Sequence, residues 1–294
     1  MRDSAAPVYL DYHATTPVDP RVLEVMWPWF SQYFGNPASR SHSFGWQAAE
    51  AVDIARTQVA QLLHADAKEI IFTSGATEAL NLAIKGHAEA FASHGKHIIT
   101  ITTEHHAVLD ALAWLSSKGY EVTKLEVNAS GQLDLQKLQD ALTDQTILVV
   151  AMWANNETGV LHDIPAIGAI CRQAGVTLLC DATQAAGKLD INPAHAGVDM
   201  LAFSAHKMYG PKGVGALYLN QASYKARLVP LIHGGGHEMG FRSGTLNVPG
   251  IVGFGAAAAI RMKEMKADEH RIRDHRDHFE AGLQAAVEEA YVNG

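Results

Sequence analysis

Residues 69–78, Glu69-Ile70-Ile71-Phe72-Thr73-Ser74-Gly75-Ala76-Thr77-Glu78, open on an apolar run and close on a turn of small and hydroxyl-bearing residues. From about Thr77 to Ala92 the apolar spacing is that of a helix, and His97-Ile98-Ile99-Thr100-Ile101 is a second apolar run. Strand, tight turn, helix and strand make a βαβ unit, whose crossover helix joins parallel strands. Working outward, the pattern recurs. A helix near Ala107 to Ser117 leads to a strand at Tyr120 to Val127. A strand at Ile147 to Met152 leads to a helix from about Ile164 to Gln173. Further strands fall at Val176 to Cys180, Val198 to Phe203 and Gly215 to Leu219. Strands apolar at nearly every position suit a sheet covered on both faces. The fold class is therefore α/β, a mostly parallel sheet with helices on both faces.

The remaining sequence narrows the function classes. Of 294 residues, 48% are hydrophobic and 18% charged, enough for a large core. A net charge of −8 argues against a nucleic-acid-coating surface, and the basic stretch His270 to Arg276 is broken by an acid, as on a solvated helix face. Two cysteines, Cys171 and Cys180, make no disulfide framework and point to a reducing compartment. Neither has zinc-ligand spacing, so no metal site is expected. The start, Met1 to Pro7, has no apolar signal-peptide core. The longest apolar runs, Ile147 to Ala154 and Gly250 to Ile260, are too short to span a bilayer. These features predict a cytoplasmic protein without a membrane or direct nucleic-acid partner. From Val248 to Ala290 the chain reads as helical. Its second part puts Phe279, Leu283, Ala286 and Val287 on one face that lacks an obvious partner surface.

Ligands of open α/β sheets bind outside the carboxyl ends of the strands. The residues that follow the strands here are Thr73 to Glu78, Glu104-His105-His106, Trp153 to Gly159, Asp181-Ala182-Thr183-Gln184 and Ser204-Ala205-His206-Lys207. Each has an ordinary explanation alone: Ser and Thr before a helix usually cap it, and a single His or Lys is usually solvated. Five polar strand ends converging on one crevice carry more weight. Pyridoxal-phosphate chemistry accounts for all of these residue types together, because it needs a lysine for the aldehyde and an acid for the pyridinium nitrogen. Lys207 and Asp181 suit those roles, His105 could stack on the ring, and Asn156 and Gln184 could bond its phenolic oxygen. The turn backbone at Ala76 and Thr77, with Thr77, Ser204 and His206, could hold the phosphate at a helix N-terminus. Desolvation would lower the pKa of Lys207 and favour its nucleophilic amine.

The segments Tyr9 to Pro17, Gly35 to Ser39, Thr73 to Glu78, Thr103-Glu104-His105, Asn155 to Gly159, Asp181 to Gln184, Ser204 to Lys207, His233 to Glu238 and Arg242 to Thr245 run in one order along nearly the whole chain. In that order the chain resembles fold-type I pyridoxal-phosphate enzymes of aminotransferase class V, and most closely the IscS/NifS-type cysteine desulfurases. The resemblance implies conversion of L-cysteine to L-alanine, with sulfur delivered as an enzyme persulfide to iron–sulfur scaffold proteins and sulfur carriers for tRNA thiolation. It implies Lys207 as the cofactor lysine and His105 as ring-stacking proton shuttle. Asp181 would hold the pyridinium nitrogen, Gln184 and Asn156 the ring oxygen, and Ala76, Thr77, Ser204 and His206 the phosphate. Thr245 would reach the cofactor phosphate of the other subunit of a homodimer. It implies a large domain over residues 16–262 and an incomplete small α+β domain from 1–15, including a strand around Tyr9, and 263–294. The family's persulfide cysteine and carboxylate-binding arginine would lie beyond the C-terminal end of this chain, and Cys171 and Cys180 would be packing residues. A cofactor-holding chain without sulfur transfer, selenocysteine lysis and transamination are the alternatives that use the same lysine.

Overall fold

The computed structural model describes residues 7–223 and 227–293. Met1 to Ala6, on which most of the reading against a signal peptide rests, and Gly294 lie outside the described residues. Seven strands form one sheet: β1 (Ile70–Thr73), β2 (His97–Ile101), β3 (Glu121–Leu125), β4 (Thr146–Met152), β5 (Thr177–Asp181), β6 (Met200–Ser204) and β7 (Gly215–Leu219). Their order across the sheet is β1-β7-β6-β5-β4-β2-β3. Only β7 runs against its neighbours; the ladders from β6 through β5, β4 and β2 to β3 are parallel. The carboxyl ends of β1, β2, β4, β5 and β6 therefore share one edge.

Side chains alternate across the sheet as the pleat requires. Ile71, Ile98, Leu148, Val150, Leu179, Ala202 and Leu217 pack beneath α4 (Ala76–Ala90) and α5 (His106–Ser116). Ile70, Phe72, Ile99, Val149, Leu178, Cys180, Leu201 and Phe203 pack beneath α3 (Ser43–Gln61), α7 (Ile164–Ala174) and α8 (Val248–Ala286). Two full layers of helix explain why the strands are apolar throughout. The ends of α7 follow local rules: the Asp163 side chain accepts from Ala166 N at its start, Pro165 sits in its first turn, and Gly175 closes it at φ +72°. The first half of α8 lies against α3. The Cα of Gly255 faces Ala55 so closely that a Cβ would stand 2.6 Å from the Ala55 Cα.

Four helices escape the sequence reading: α1 (Pro20–Met26), α2 (Pro28–Ser31), α3 and α6 (Leu135–Ala141). The strand expected around Tyr9 is not formed. Val8, Tyr9 and Leu10 are exposed, and no strand among the described residues offers their backbone a ladder. The chain instead turns at Asp11 to Ala14 and then docks on the sheet edge: Thr16 N donates to His206 O at 3.0 Å, and Thr16 Oγ1 donates to the same oxygen. The last helix crosses residue 262 without a break and stops at Ala286, four residues short of expectation.

Candidate active site

A cleft of about 810 Å³ opens at the shared carboxyl edge. Nine of the residues read from the sequence line it: Ala76, Thr77, His105, Asn156, Asp181, Gln184, Ser204, His206 and Lys207. Thr245 is exposed and does not line it.

One wall is built for an anion. α4 starts at Ala76, so the first amides of the helix point outward and its positive pole faces the cleft. Ser204, at the end of β6, sits across from this turn: a Cβ on Gly75 would stand 4.0 Å from its hydroxyl. The approach of β1 to β7 depends on a missing side chain, since a Cβ on Gly215 would stand 2.7 Å from the Gly75 backbone. His206 and Lys212 complete this wall. Burial first, and then Lys207 and Lys212, hold the His206 imidazole below its usual value. Behind the turn, Arg242 Nε donates to Glu78 Oε1 at 2.7 Å, and Glu78 Oε2 accepts from Ser74 N at 2.7 Å.

The opposite wall carries the acids and the lysine. Asp181 is buried at the end of β5, opposite Met152 of β4 and Ala202 of β6. Its Oδ1 accepts from Thr183 N at 2.9 Å. Desolvation pushes its pKa up, against the Thr183 backbone N–H and the opposing pull of His105 and Lys207. Next to it Glu104 is buried. Its Oε1 accepts from Met152 N at 2.5 Å, and its Oε2 finds no partner among the described residues. Desolvation and then the Asp181 charge drive its pKa well above its ordinary value, which favours the protonated form.

Lys207 follows Ser204 in a short turn. Its Nζ donates to Ala14 O at 3.0 Å and to His13 O. Desolvation holds its pKa below the usual lysine value, although Asp181, Asp11 and Glu157 pull the other way. His105 caps α5, its Nδ1 accepting from Ala107 N at 3.0 Å, and lines the cleft with Nε2 not engaged by this cap. The two asparagines of the β4 loop divide their work. Buried Asn155 ties the loop, accepting from Glu157 N and Thr158 N at 2.9 Å each and donating to Thr103 O, while Asn156 lines the cleft.

The chain matches the aminotransferase class-V family over residues 8–293. It is 56% identical over 288 residues to a "Cysteine desulfurase IscS" of Anaeromyxobacter sp., which covers 98% of this chain and 71% of that protein. A protein of the same description from Neisseria meningitidis is 54% identical over the same shares. The chain belongs to the cysteine desulfurases of aminotransferase class V. Solved structures agree. A "NIFS-LIKE PROTEIN" superposes at a TM-score of 0.91 with 39% identity over 95% of this chain and 76% of that one. A structure described as SspA in complex with cysteine superposes at 0.82, with 43% identity over 85% and 72%.

Enzymes of this family use pyridoxal 5′-phosphate, and the cleft of this desulfurase fits it on its own evidence. An aromatic ring with one basic nitrogen, one aldehyde, one phenolic oxygen and one phosphate would meet a buried acid, a lysine of lowered pKa, an amide and a helix N-terminus. The buried Thr183 hydroxyl, which lines the cleft without a partner among the described residues, is a donor left over for a ligand. Sequence reasoning missed Lys188, Lys212, His13 and Thr15. Thr15 Oγ1 meets His206 Nδ1 at 3.1 Å, so the N-terminal segment straps the lysine turn down. The signal was present in Tyr9 to Pro17, but nothing in its local pattern says that it crosses to β6.

Proposed function

We propose that this cleft removes sulfur from L-cysteine, leaving L-alanine, with Lys207 and His105 as the catalytic residues. The observation that carries this reading is the placement of Asp181 and Lys207 on adjacent parallel strand ends, β5 and β6, facing one cleft. When bound, the cofactor supplies an aldehyde for the substrate amine and a ring that accepts an electron pair from the α-carbon. Lys207 would hold that aldehyde, and burial lowers its pKa, which favours the amine over the ammonium. Asp181 keeps a proton on the ring nitrogen through a charge-assisted hydrogen bond in a dry pocket. His105 covers the ring and carries protons between Nε2 and the substrate. Ala76 and Thr77 amides, with Ser204 and His206, bind the phosphate, and Gln184 and Asn156 bind the ring oxygen.

The sulfur step balances with a thiol acceptor: cysteine and a thiol give alanine and a persulfide. Cys171 and Cys180 are both buried in the core beneath α3, α7 and α8, away from the cleft. The acceptor thiol therefore comes from outside these 294 residues. We place the protein in the cytoplasm, as a homodimer delivering sulfur to scaffold and carrier proteins. Support for a dimer comes from exposed aromatics, with Trp27 at 73% and Phe34 at 69%, and from Thr245 standing outside its own cleft. No helix of the described residues is long and apolar enough to cross a membrane.

The test is incubation of the cofactor-loaded protein with L-cysteine and dithiothreitol, scoring alanine and sulfide together. Equal release of both supports the reading. Bound cofactor with neither product would reduce the chain to a cofactor holder.

A further inference from the structure

Lys188 lies four residues after Gln184, in the turn that leaves β5, and it takes no part in the reading above. It is half-buried, with its ammonium 2.5 Å from Gln184 Oε1. On the other side of the amide, Gln184 Nε2 donates to His13 O at 2.9 Å, and His13 O also accepts from Lys207 Nζ. Lys188 and Lys207 are thus joined through one glutamine and one carbonyl.

We propose that Lys188 is a positioning residue for this reaction: its ammonium locks the Gln184 amide with Oε1 inward, so that Gln184 offers the cleft only N–H donors. This rests on the assignment of Gln184 and Lys207 above. The argument is one of donor inventory. An ammonium has three donors and no acceptor, so it can only meet the oxygen of the amide. The two hydrogens on Nε2 then face outward. One goes to His13 O, and the other is available to an acceptor in the cleft, which is what the cofactor's phenolic oxygen is. Without Lys188 only the His13 carbonyl holds the amide against a flip that would set its oxygen against that oxygen.

The second consequence is electrostatic. The charged groups around Lys188 are Lys207, Arg261 and His13, all of them basic. Desolvation, then Lys207 and Arg261, push the Lys188 pKa down to about 8, so it is still mainly an ammonium at neutral pH. The same repulsion acts on His13, whose pKa is lowered by burial and then by Lys188. Coulomb repulsion is mutual, so the cation at Lys188, whose pKa Lys207 lowers, in turn disfavours a proton on the Lys207 nitrogen.

The experiment uses the cofactor-loaded protein and follows its visible absorption band against pH. Lys188→Met should raise the midpoint of that band by about one unit, since both the repelling charge and the N–H donor are lost. Cofactor dissociation should tighten or weaken by no more than the single hydrogen bond, about tenfold. Lys188→Arg keeps charge and donors and should restore the parental midpoint. A lowered melting temperature with a parental midpoint in Lys188→Met would overturn the proposal and leave Lys188 a packing residue. If Lys188→Met does not fold, Gln184→Glu carries the test. Its carboxylate keeps the pair with Lys188 but has no N–H, so the midpoint should again rise, and an unmoved midpoint overturns the proposal. Lys207→Ala separates the two readings: a visible band that persists there rejects the site assignment itself, whereas its loss leaves only the role of Lys188 at issue.

Discussion

Glu104 shows how one residue records the cost of building this site. It is a carboxyl placed in an apolar layer beside a second carboxyl, Asp181, with only one of its oxygens bonded. Its pKa is raised in the folded state, first by desolvation and then by the Asp181 charge. An acid with a raised folded pKa binds its proton more tightly in the native state than in the unfolded one. Stability is therefore greatest below the unfolded value of 4.5 and falls as pH rises toward the folded pKa. Glu104→Gln keeps the shape and the acceptor for Met152 N without this linkage. The expected outcome, read by urea unfolding of the cofactor-free protein, is that the variant gains on the parent as pH goes from 4 to 7. His162 has the opposite sign. It is buried, neither ring nitrogen has a partner among the described residues, and burial lowers its pKa. The unfolded chain then binds the extra proton, so its contribution is present above 6.5 and is lost as pH falls below that value. His162→Leu should flatten the acid limb of the stability profile, and an unchanged limb would rule this residue out as its cause.

At the scale of elements, the glycine-rich segment after β7 is held by a single buried pair. Glu238 accepts from Arg56 Nη2 at 2.6 Å and Nη1 at 2.8 Å, and from Phe72 N of β1 at 2.6 Å. Arg56, from α3, also donates to Ile70 O and lies over the Phe72 ring. Glu238 and Met239 both sit at positive φ, +49° and +57°, a backbone state that side chains disfavour and that this anchor maintains. Through Arg242 the same segment reaches Glu78 and so the turn that opens α4. Glu238→Gln leaves the half-buried Arg56 without its counter-charge and should lower unfolding free energy by about 3 kcal/mol, measured by urea denaturation. A loss below about 0.5 kcal/mol would mark the pair as incidental. The far half of α8 behaves differently. Phe279 is 70% exposed, and Leu283 and Val287 are also exposed. Phe279→Glu with Leu283→Glu should leave the unfolding midpoint unchanged while reducing concentration-dependent association in light scattering. A drop in melting temperature would mean that this face packs within the chain.

For the whole molecule, the exposed aromatics gather on α1 to α3. Trp27 and Phe30 lie 6.4 Å apart, and Phe34 and Phe44 lie 6.0 Å apart. Apolar surface of this kind suits the proposed dimer contact. Sedimentation of the loaded protein is expected to give a dimer, and Phe34→Asp with Phe44→Asp a folded monomer. A parent that sediments as a monomer at every concentration removes the dimer and with it the role of Thr245.

The layered α/β architecture was legible in the amino-acid sequence because parallel strands covered on both faces must be apolar throughout, as in Ile70-Ile71-Phe72 and Leu178-Leu179-Cys180. So were nine residues of the cleft, because strand ends in such a sheet share one edge and the polar residues there have no structural reason to be alike. Local pattern could not reveal what depends on distant partners. α1 and α3 take their buried faces from α8, some two hundred residues away. Tyr9 reads as part of a strand, but no strand among the described residues pairs with it. Glu104 and Lys188 gain their meaning only where Asp181, Gln184 and Lys207 surround them. Periodicity reports which face of an element is buried; it carries no information about which charge or hydrogen-bond partner arrives from elsewhere in the chain. That pairing is set by the tertiary structure alone.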